Sequence, residues 1–134
     1  MKILAIDYGE KRIGLATGEM FSKPFGTVEN IGNLEKAADK IAQICATEEI
    51  EKIIIGLPEY DDGGEPEIVG KIKSFGNLLS NKTELDLVFE PENFTSHEAE
   101  RILSEKGIDF RHDKGKVDEM AAALLLEQFL EHNK

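Results

Sequence analysis

The stretch KILAIDYG (Lys2–Gly9) opens the chain with an apolar, β-branched run that ends in an acid and a glycine. Such a run predicts a buried strand over Lys2–Tyr8. The short link Gly9–Arg12 leads into a second apolar run, Ile13–Thr17, so a hairpin is the natural connection. The opening therefore predicts two antiparallel strands, with Asp7 at the end of the first.

Strand and helix patterns alternate along the rest of the chain. Apolar runs predict three further strands, a short one at Phe25–Val28, a fully buried one at Ile53–Pro58 and a third at Leu85–Phe89. Helical periodicity predicts four helices: from Leu34 to Cys45 after an Asn33 N-cap, from Ile68 to Leu79, from a Thr95 cap to Gly107, and from about Asp118 to Phe129. The polar stretch Asp109–Val117 is expected to be a mobile loop.

The order β-β-β-α-β-α-β-α-α predicts an α/β fold. An antiparallel meander followed by parallel strands gives a five-stranded mixed sheet with helices on both faces. The length of 134 residues predicts a single domain over residues 1–134. Since no apolar run approaches about 20 residues, a membrane span is excluded. Asp7 interrupts the apolar stretch that a signal peptide would need, and the single Cys45 cannot form an internal disulfide. Both features predict a reducing cytoplasm rather than secretion.

The composition is strongly acidic. The net charge is −11, from 16 basic and 27 acidic residues. An acidic surface repels the phosphate backbone of nucleic acids. Any binding of nucleic acid must therefore depend on a local basic patch or on bound metal ions.

Three acidic residues lie where predicted elements begin or end. Asp7 ends the first strand, Glu92 follows the fifth, and Asp118 opens the last helix. Carboxyl ends of adjacent parallel strands meet at one edge of a sheet, so we expect the three carboxylates to cluster there. Their repulsion must be offset by protons or cations, and carboxylates are suitable ligands for Mg²⁺ or Mn²⁺. Two such ions can activate water and stabilise the leaving oxygen in phosphodiester cleavage.

Each of these acids also has a purely structural interpretation. Asp7 before Tyr8-Gly9 fits turn chemistry, and Glu92 fits a solvated loop. Asp118 fits an N-cap or a first-turn acid that the helix dipole favours. Only the predicted topology joins the three residues into one site.

Four blocks of the sequence resemble the YqgF family, also called RuvX or Holliday-junction-resolvase-like proteins. In chain order the blocks are Asp7–Ala16, Gly56–Pro58 with Asp62-Gly63, Thr95–Glu100, and Lys114–Leu124. They span nearly the whole chain with spacing like that of the family. The resemblance implies an RNase H-like fold and a metal-dependent nuclease, with processing of the 5′ end of pre-16S ribosomal RNA as the usual role. By position it also implies that the catalytic, metal-binding acids are Asp7, Glu92 and Asp118.

The sequence departs from the family pattern beside Glu92. Pro91-Glu92-Asn93 stands where the family usually has Asp-Glu-Arg, and Glu59-Tyr60 stands where it tends to have Leu-Asn. Pro91 restricts Glu90 to an extended conformation and predicts a reshaped strand end. A slip of register there would let Glu90 take the place of Glu92.

Two groups of basic residues flank the predicted acids. The first lies in the hairpin beside Asp7 and is covered by the family resemblance: Lys11 and Arg12. The second leads into Asp118: Arg111, Lys114 and Lys116. Each group fits phosphate contacts at a nucleic-acid interface. Each also fits a solvated surface, as a hairpin tip or a polar loop.

Several functions compete. The leading interpretation is an endonuclease for structured RNA, such as pre-rRNA in a ribosomal precursor particle, acting as a monomer or weak homodimer. The alternative within the same chemistry is a Holliday junction resolvase on branched DNA, which would need a dimer to cut two strands symmetrically. Asp7-x-Gly9 with Gly14 also resembles the first phosphate loop of actin-like ATPases, but the chain is too short for their two lobes. A binding module without activity is the third class, favoured by Pro91, Asn93 and the net charge.

Overall fold

The computed structural model describes residues 1–60, 64–92, 96–109 and 113–133. Within these residues the elements follow the predicted order. They are β1 (Ile3–Asp7), β2 (Arg12–Gly18), β3 (Ser22–Glu29), α1 (Leu34–Thr47), β4 (Lys52–Pro58), α2 (Glu67–Thr83), β5 (Asp86–Glu92), α3 (Ser96–Glu105) and α4 (Lys114–His132).

The described strands form one mixed sheet in the order β3-β2-β1-β4-β5. β1 lies at the centre, antiparallel to β2 and parallel to β4, and β5 extends the parallel side. β1 suits this central place because it is apolar on both faces. Leu4 and Ile6 pack on one side, and Ile3 and Ala5 pack on the other. The predicted fold class is confirmed.

Each face of the sheet has its own apolar core. Helices α1 and α2 pack against each other and cover the face that carries Leu4 and Ile6. Helices α3 and α4 cover the opposite face, and α4 lies across β2, β3 and β1. No helix in the described part of the chain has the length and apolar character needed to cross a membrane.

Both outer strands are longer than predicted. β3 begins at Ser22 rather than Phe25, and β5 continues to Glu92, so Glu92 is the last strand residue and not part of a following loop. The expected reshaping by Pro91 was wrong, because Leu57 and Pro58 of β4 stay in register with Pro91 and Glu92. β5 is an edge strand, where a proline that lacks an N–H is tolerated.

Helix α4 begins earlier than predicted. It starts at Lys114 after Asp113, so Asp118 lies inside the helix instead of opening it. The expected loop over Asp109–Val117 was therefore wrong from Lys114 onward. Burial of Val117 and the close fit of Gly115 against Thr27 of β3 favour this early start. The predicted Thr95 cap lies outside the described residues, whereas the Asn33 cap is confirmed by its side chain, which accepts from the Lys36 N–H at 3.2 Å.

Candidate metal centre and nucleic-acid interface

Two strands and one helix carry the three predicted acids to the same place. Ile3 and Ala5 pack under α4, and alternation along β1 puts Asp7 on that face. On β5, Val88 packs against the same core, so Glu92 also faces α4. Asp118 belongs to α4 itself. The acids therefore meet above the carboxyl ends of β1 and β5.

Asp7 and Glu92 form a carboxyl–carboxyl pair. Burial, followed by the negative charges of Glu92 and Asp118, raises the pKa of Asp7 well above its usual range. Burial also raises the pKa of Glu92, whereas the hydrogen bond from Asp7 acts in the opposite direction. These directions correspond to a proton that Asp7 donates to Glu92. This acid dyad of Asp7 and Glu92 favours a state with one proton between the two carboxyl groups, because adjacent negative charges repel.

Gly56 makes the contact between Asp7 and Glu92 possible. Their strands are not neighbours, because β4 separates β1 from β5. Two strand spacings amount to about 10 Å, which the Glu92 side chain must largely bridge. It does so above Gly56, where a Cβ would lie 3.4 Å from Glu92 Oε2 and 3.1 Å from a methyl group of Leu125. The resemblance included Gly56, but only the strand order shows why a side chain there would crowd the site.

Asp118 is paired with a cation. Its Oδ2 accepts a hydrogen bond from Arg12 Nε at 2.7 Å, and both side chains keep part of their surface exposed. The helix comes this close to the sheet because of Gly14, the partner of Asp7 in the β1–β2 ladder. A Cβ at Gly14 would overlap the carbonyl oxygen of Asp118. The negative charge of Asp118 consequently contributes to the raised pKa of Asp7.

Asp7, Glu92 and Asp118 are suitable ligands for a divalent ion, but their side chains do not converge on one point in this structure. Among residues 1–60, 64–92, 96–109 and 113–133, no three His, Cys, Asp or Glu side chains are arranged to hold a metal ion. The structure brings Asp7 and Glu92 together, while Asp118 is engaged by Arg12. The raised pKa values favour a proton on the Asp7–Glu92 pair, and the Arg12 guanidinium neutralises Asp118. A bound metal ion would replace both sources of positive charge. Carboxylate oxygens are the ligands that Mg²⁺ and Mn²⁺ prefer, so the donor set fits such an ion.

Glu90 does not replace Glu92. Its carboxylate accepts a hydrogen bond from Gln128 Nε2 at 3.2 Å and lies 3.4 Å from His132 Nδ1. Gln128 Nε2 also donates to the carbonyl of Pro91 at 2.6 Å. Gln128 thereby ties the end of β5 to α4 directly before Glu92. Sequence reasoning missed Gln128, because its partners lie almost forty positions earlier in the chain.

Four of the five predicted basic residues lie in the described part of the chain, next to Asp7 or Asp118 in sequence. Lys11 is exposed beside Arg12 at the start of β2, and Lys114 and Lys116 are exposed in the first turn of α4. Arg111 lies outside the described residues. Arg12 has a second role that its sequence position did not indicate, since it is bound to Asp118.

A central strand that ends in an aspartate, an antiparallel meander on one side and parallel strands on the other define an RNase H-like fold. The chain belongs to the RuvX family, whose model, described as Holliday junction resolvase, matches residues 1–132. This match confirms the family that the sequence blocks resemble.

Relatives agree with this family assignment, and a solved structure shares the fold. A protein of Dechloromonas aromatica (strain RCB), named "Putative pre-16S rRNA nuclease", is 35% identical over 132 residues, covering 96% of this chain and 90% of its own. A protein of the same name from Syntrophus aciditrophicus (strain SB) is 35% identical over 133 residues, covering 98% and 89%. Thermus thermophilus RuvC, solved in complex with a Holliday junction substrate, superposes with a TM-score of 0.61 at 13% identity, covering 100% of this chain and 97% of its own. That likeness shows the shared fold.

Proposed function

We propose that this chain is a metal-dependent nuclease that hydrolyses phosphodiester bonds in structured RNA, with the 5′ end of pre-16S ribosomal RNA as its substrate. The observation that carries the proposal is the Asp7–Glu92 pair beside Asp118 at the carboxyl edge of the sheet. Membership of the RuvX family and the names of its relatives support the substrate. The cytoplasm is the proposed compartment.

Three acids would hold the ion, Mg²⁺ or Mn²⁺: Asp7, Glu92 and Asp118. When bound, the ion supplies an activated water and stabilises charge on the leaving oxygen. With the ion bound, Asp7 and Glu92 would both serve as ionised ligands and their proton would pass to solvent, because the positive charge would offset the repulsion and burial that favour protonation. Arg12 leaves Asp118 and offers its guanidinium to a substrate phosphate.

The basic residues would supply the local attraction that the whole chain lacks. Lys11 and Arg12 follow Asp7 in the β1–β2 hairpin, Lys114 and Lys116 precede Asp118 at the start of α4, and Arg111 is proposed to extend this patch. The net charge of −11 elsewhere slows encounter with RNA and makes affinity sensitive to salt. Presentation of the RNA by the ribosomal precursor particle would overcome this weak affinity.

A cleavage assay tests the proposal. We expect the wild-type protein with Mn²⁺ to cut a structured RNA that contains the pre-16S 5′ junction, and Asp7→Asn to leave it intact. Glu67→Gln is the matched control, because it removes an exposed carboxylate at the start of α2, which packs on the opposite face of the sheet from α4. Equal cleavage by wild type and Asp7→Asn would contradict the assignment of Asp7. No cleavage by wild type under any metal condition would contradict the nuclease.

A junction resolvase is the second candidate. The description of the matched family favours it. In the same assay, paired cuts in a four-way DNA junction together with a dimer in sedimentation would establish this candidate over the RNA nuclease. A silent binding module is less well supported, because β5 keeps its register through Pro91 and delivers Glu92 to Asp7.

A further inference from the structure

A second concave feature lies at the same edge of the sheet as the acids. It is a cleft of about 360 Å³ past the ends of β4 and β5, lined by Leu57, Pro58, Glu59, Tyr60, Phe89 and Pro91. Apart from Glu59, these side chains are apolar or aromatic. A cleft of this size and lining suits a small flat group rather than a protein segment.

The residues of the cleft are neighbours of Glu92 in the β4–β5 ladder. In the β4–β5 ladder Leu57 pairs with Pro91 and Pro58 pairs with Glu92. Leu57 and Phe89 pack towards the core under α1 and α2, whereas Glu92 faces α4. Glu92 thus lies one position beyond Pro91 on the other face of the sheet, so a polynucleotide that passes over the strand ends could bring a phosphate to Glu92 and an adjoining base to the cleft.

Tyr60 provides an exposed aromatic surface in the wall of this cleft. It is 47% exposed, although most of the large apolar side chains in the described part of the chain are buried. Its hydroxyl donates to Glu65 Oε2 at 3.3 Å, and Glu65 also pairs with Lys73 Nζ at 3.5 Å. The hydroxyl end of the ring is thus held by Glu65, and the exposed part of the side chain leaves surface for a stacking partner.

The negative charges around the cleft favour the base of a nucleotide over its phosphate. Glu59 lines the cleft and Glu65 holds the Tyr60 hydroxyl, so two carboxylates lie near the ring. They repel a backbone phosphate, whereas a neutral base can stack on the ring and donate from an amino group to a carboxylate. Stacking on aromatic side chains is a common way to hold unpaired bases.

We infer that Tyr60 and this cleft bind the unpaired base of the nucleotide next to the cleaved bond. The inference rests on the proposed function and adds a specificity to it. A base can enter the cleft only when it is not paired in a duplex. The nuclease would accordingly favour cleavage next to a single-stranded or flipped-out nucleotide over cleavage inside a continuous helix.

Binding measurements without metal test this subsite independently of cleavage. The probes are a short unstructured RNA, the same RNA with one abasic position, and a fully paired RNA hairpin. We expect Tyr60→Leu to weaken binding of the unstructured RNA about tenfold, since stacking contributes about 1–3 kcal/mol per base. Tyr60→Phe keeps the ring and should bind like wild type. For the hairpin, the three proteins should be equal.

A spectroscopic readout reports on the ring itself. The chain has two tyrosines and no tryptophan, so Tyr8→Phe leaves Tyr60 as the sole strong emitter. Saturating unstructured RNA should quench its fluorescence, and RNA that is abasic at the occupied position should not.

The subsite and the nuclease fail in different ways. Wild-type affinity in Tyr60→Leu, or fluorescence of Tyr60 that RNA leaves unchanged, would overturn the subsite even if Mn²⁺-dependent cleavage is seen. Loss of affinity in Tyr60→Leu without any cleavage by wild type would support the base-binding cleft and overturn the nuclease.

Discussion

Arg12 donates from Nε to Oδ2 of Asp118 across 2.7 Å, and the two residues are 106 positions apart in the chain. Each partner has a competing ligand in the proposed reaction, because Asp118 would bind a metal ion and Arg12 a phosphate. A phosphate that draws Arg12 away frees Asp118, and an ion that takes Asp118 frees Arg12. By linkage, nucleic acid and metal should therefore bind more tightly together than apart.

Replacing Arg12 should change the affinity for metal and the affinity for nucleic acid in opposite directions. We expect Arg12→Gln to raise the affinity for Mn²⁺ about threefold to tenfold in the absence of nucleic acid, because the competing charged hydrogen bond is gone. The affinity for RNA should fall in the same variant. Isothermal titration with Mn²⁺ and a separate titration with RNA check both parts.

Lys11→Gln is the matched control for Arg12. It removes the same charge one position away but leaves the bond to Asp118 intact. We expect weaker RNA binding with little change in Mn²⁺ affinity. If both variants shift Mn²⁺ affinity equally, the effect of Arg12 is general electrostatics and the competition is contradicted.

Asp7→Asn should abolish activity while stabilising the metal-free protein. Loss of a metal-binding carboxylate should slow cleavage about a thousandfold or more, since the metal contributes several kcal/mol to transition-state stabilisation. The substitution also replaces a carboxyl group that must take up a proton beside Glu92 with a neutral amide that can donate to Glu92 without one. Thermal unfolding in EDTA, alongside the cleavage assay, checks the combination. A variant that unfolds instead would favour a turn-forming role for Asp7.

The stability difference should depend on pH with a definite sign. The folded-state pKa of Asp7 is raised, so its contribution to stability is complete below the unfolded value of about 3.9 and is lost as pH rises through the folded value. The raised pKa of Glu92 acts in the same direction. The gain in melting temperature of Asp7→Asn over wild type should therefore grow as pH rises from the ordinary carboxyl range towards neutrality. A gain that shrinks over this range would contradict a proton shared by the pair.

Gly14→Ala should destabilise the fold where α4 meets the sheet. The added methyl group would overlap the carbonyl oxygen of Asp118, which belongs to backbone and cannot rotate away. We expect a loss of about 1–3 kcal/mol in chemical unfolding, with reduced Mn²⁺ affinity as α4 is displaced. Gly70→Ala is the control: its methyl group would meet nothing within 4 Å on the exposed side of α2 and should stabilise by about 0.5–1 kcal/mol.

Charge reversal at the start of α4 should weaken RNA binding. The double substitution Lys114→Glu with Lys116→Glu inverts the exposed charges that precede Asp118. RNA affinity should fall, and its dependence on salt should become shallower because fewer counterions are released. Fluorescence anisotropy over a salt series, with and without Mg²⁺ at constant ionic strength, provides the measurement.

Lys40→Glu with Lys36→Glu is the control for this charge reversal. It makes the same change in net charge on α1, which packs on the opposite face of the sheet. An equal loss of affinity in both double variants would mean that net charge, not the α4 patch, governs binding.

The fold was predictable because its central strands are continuous apolar runs, as burial on both faces of a sheet requires. β1 and β4 were identified from runs such as Ile53-Ile54-Ile55, which are buried on both faces. The start of α4 was not predictable from periodicity, since Lys114 and Lys116 are polar and the helix there is stabilised by Val117 and by contact with β3. Tertiary packing supplied what local propensity lacked.

The positions of the candidate acids were predictable from the sequence, and their hydrogen-bond partners were not. Asp7 and Glu92 followed from the rule that ligand sites lie at the carboxyl ends of strands. The partners of Asp118 and Glu90, Arg12 and Gln128, depend on how α4 crosses the sheet. Side-chain pairs that join distant segments leave no local pattern in a single sequence.

The pair that Glu92 forms with Asp7 above Gly56 also depends on the order in which the chain is synthesised. Asp7 leaves the ribosome first, but its partner arrives only when β5 has been added to the sheet edge, and Asp118 only when α4 has closed over Gly14. A partly synthesised chain holds an isolated aspartate and no dyad. Any chemistry that needs the three acids together therefore begins only after α4 has been synthesised and has packed on the sheet.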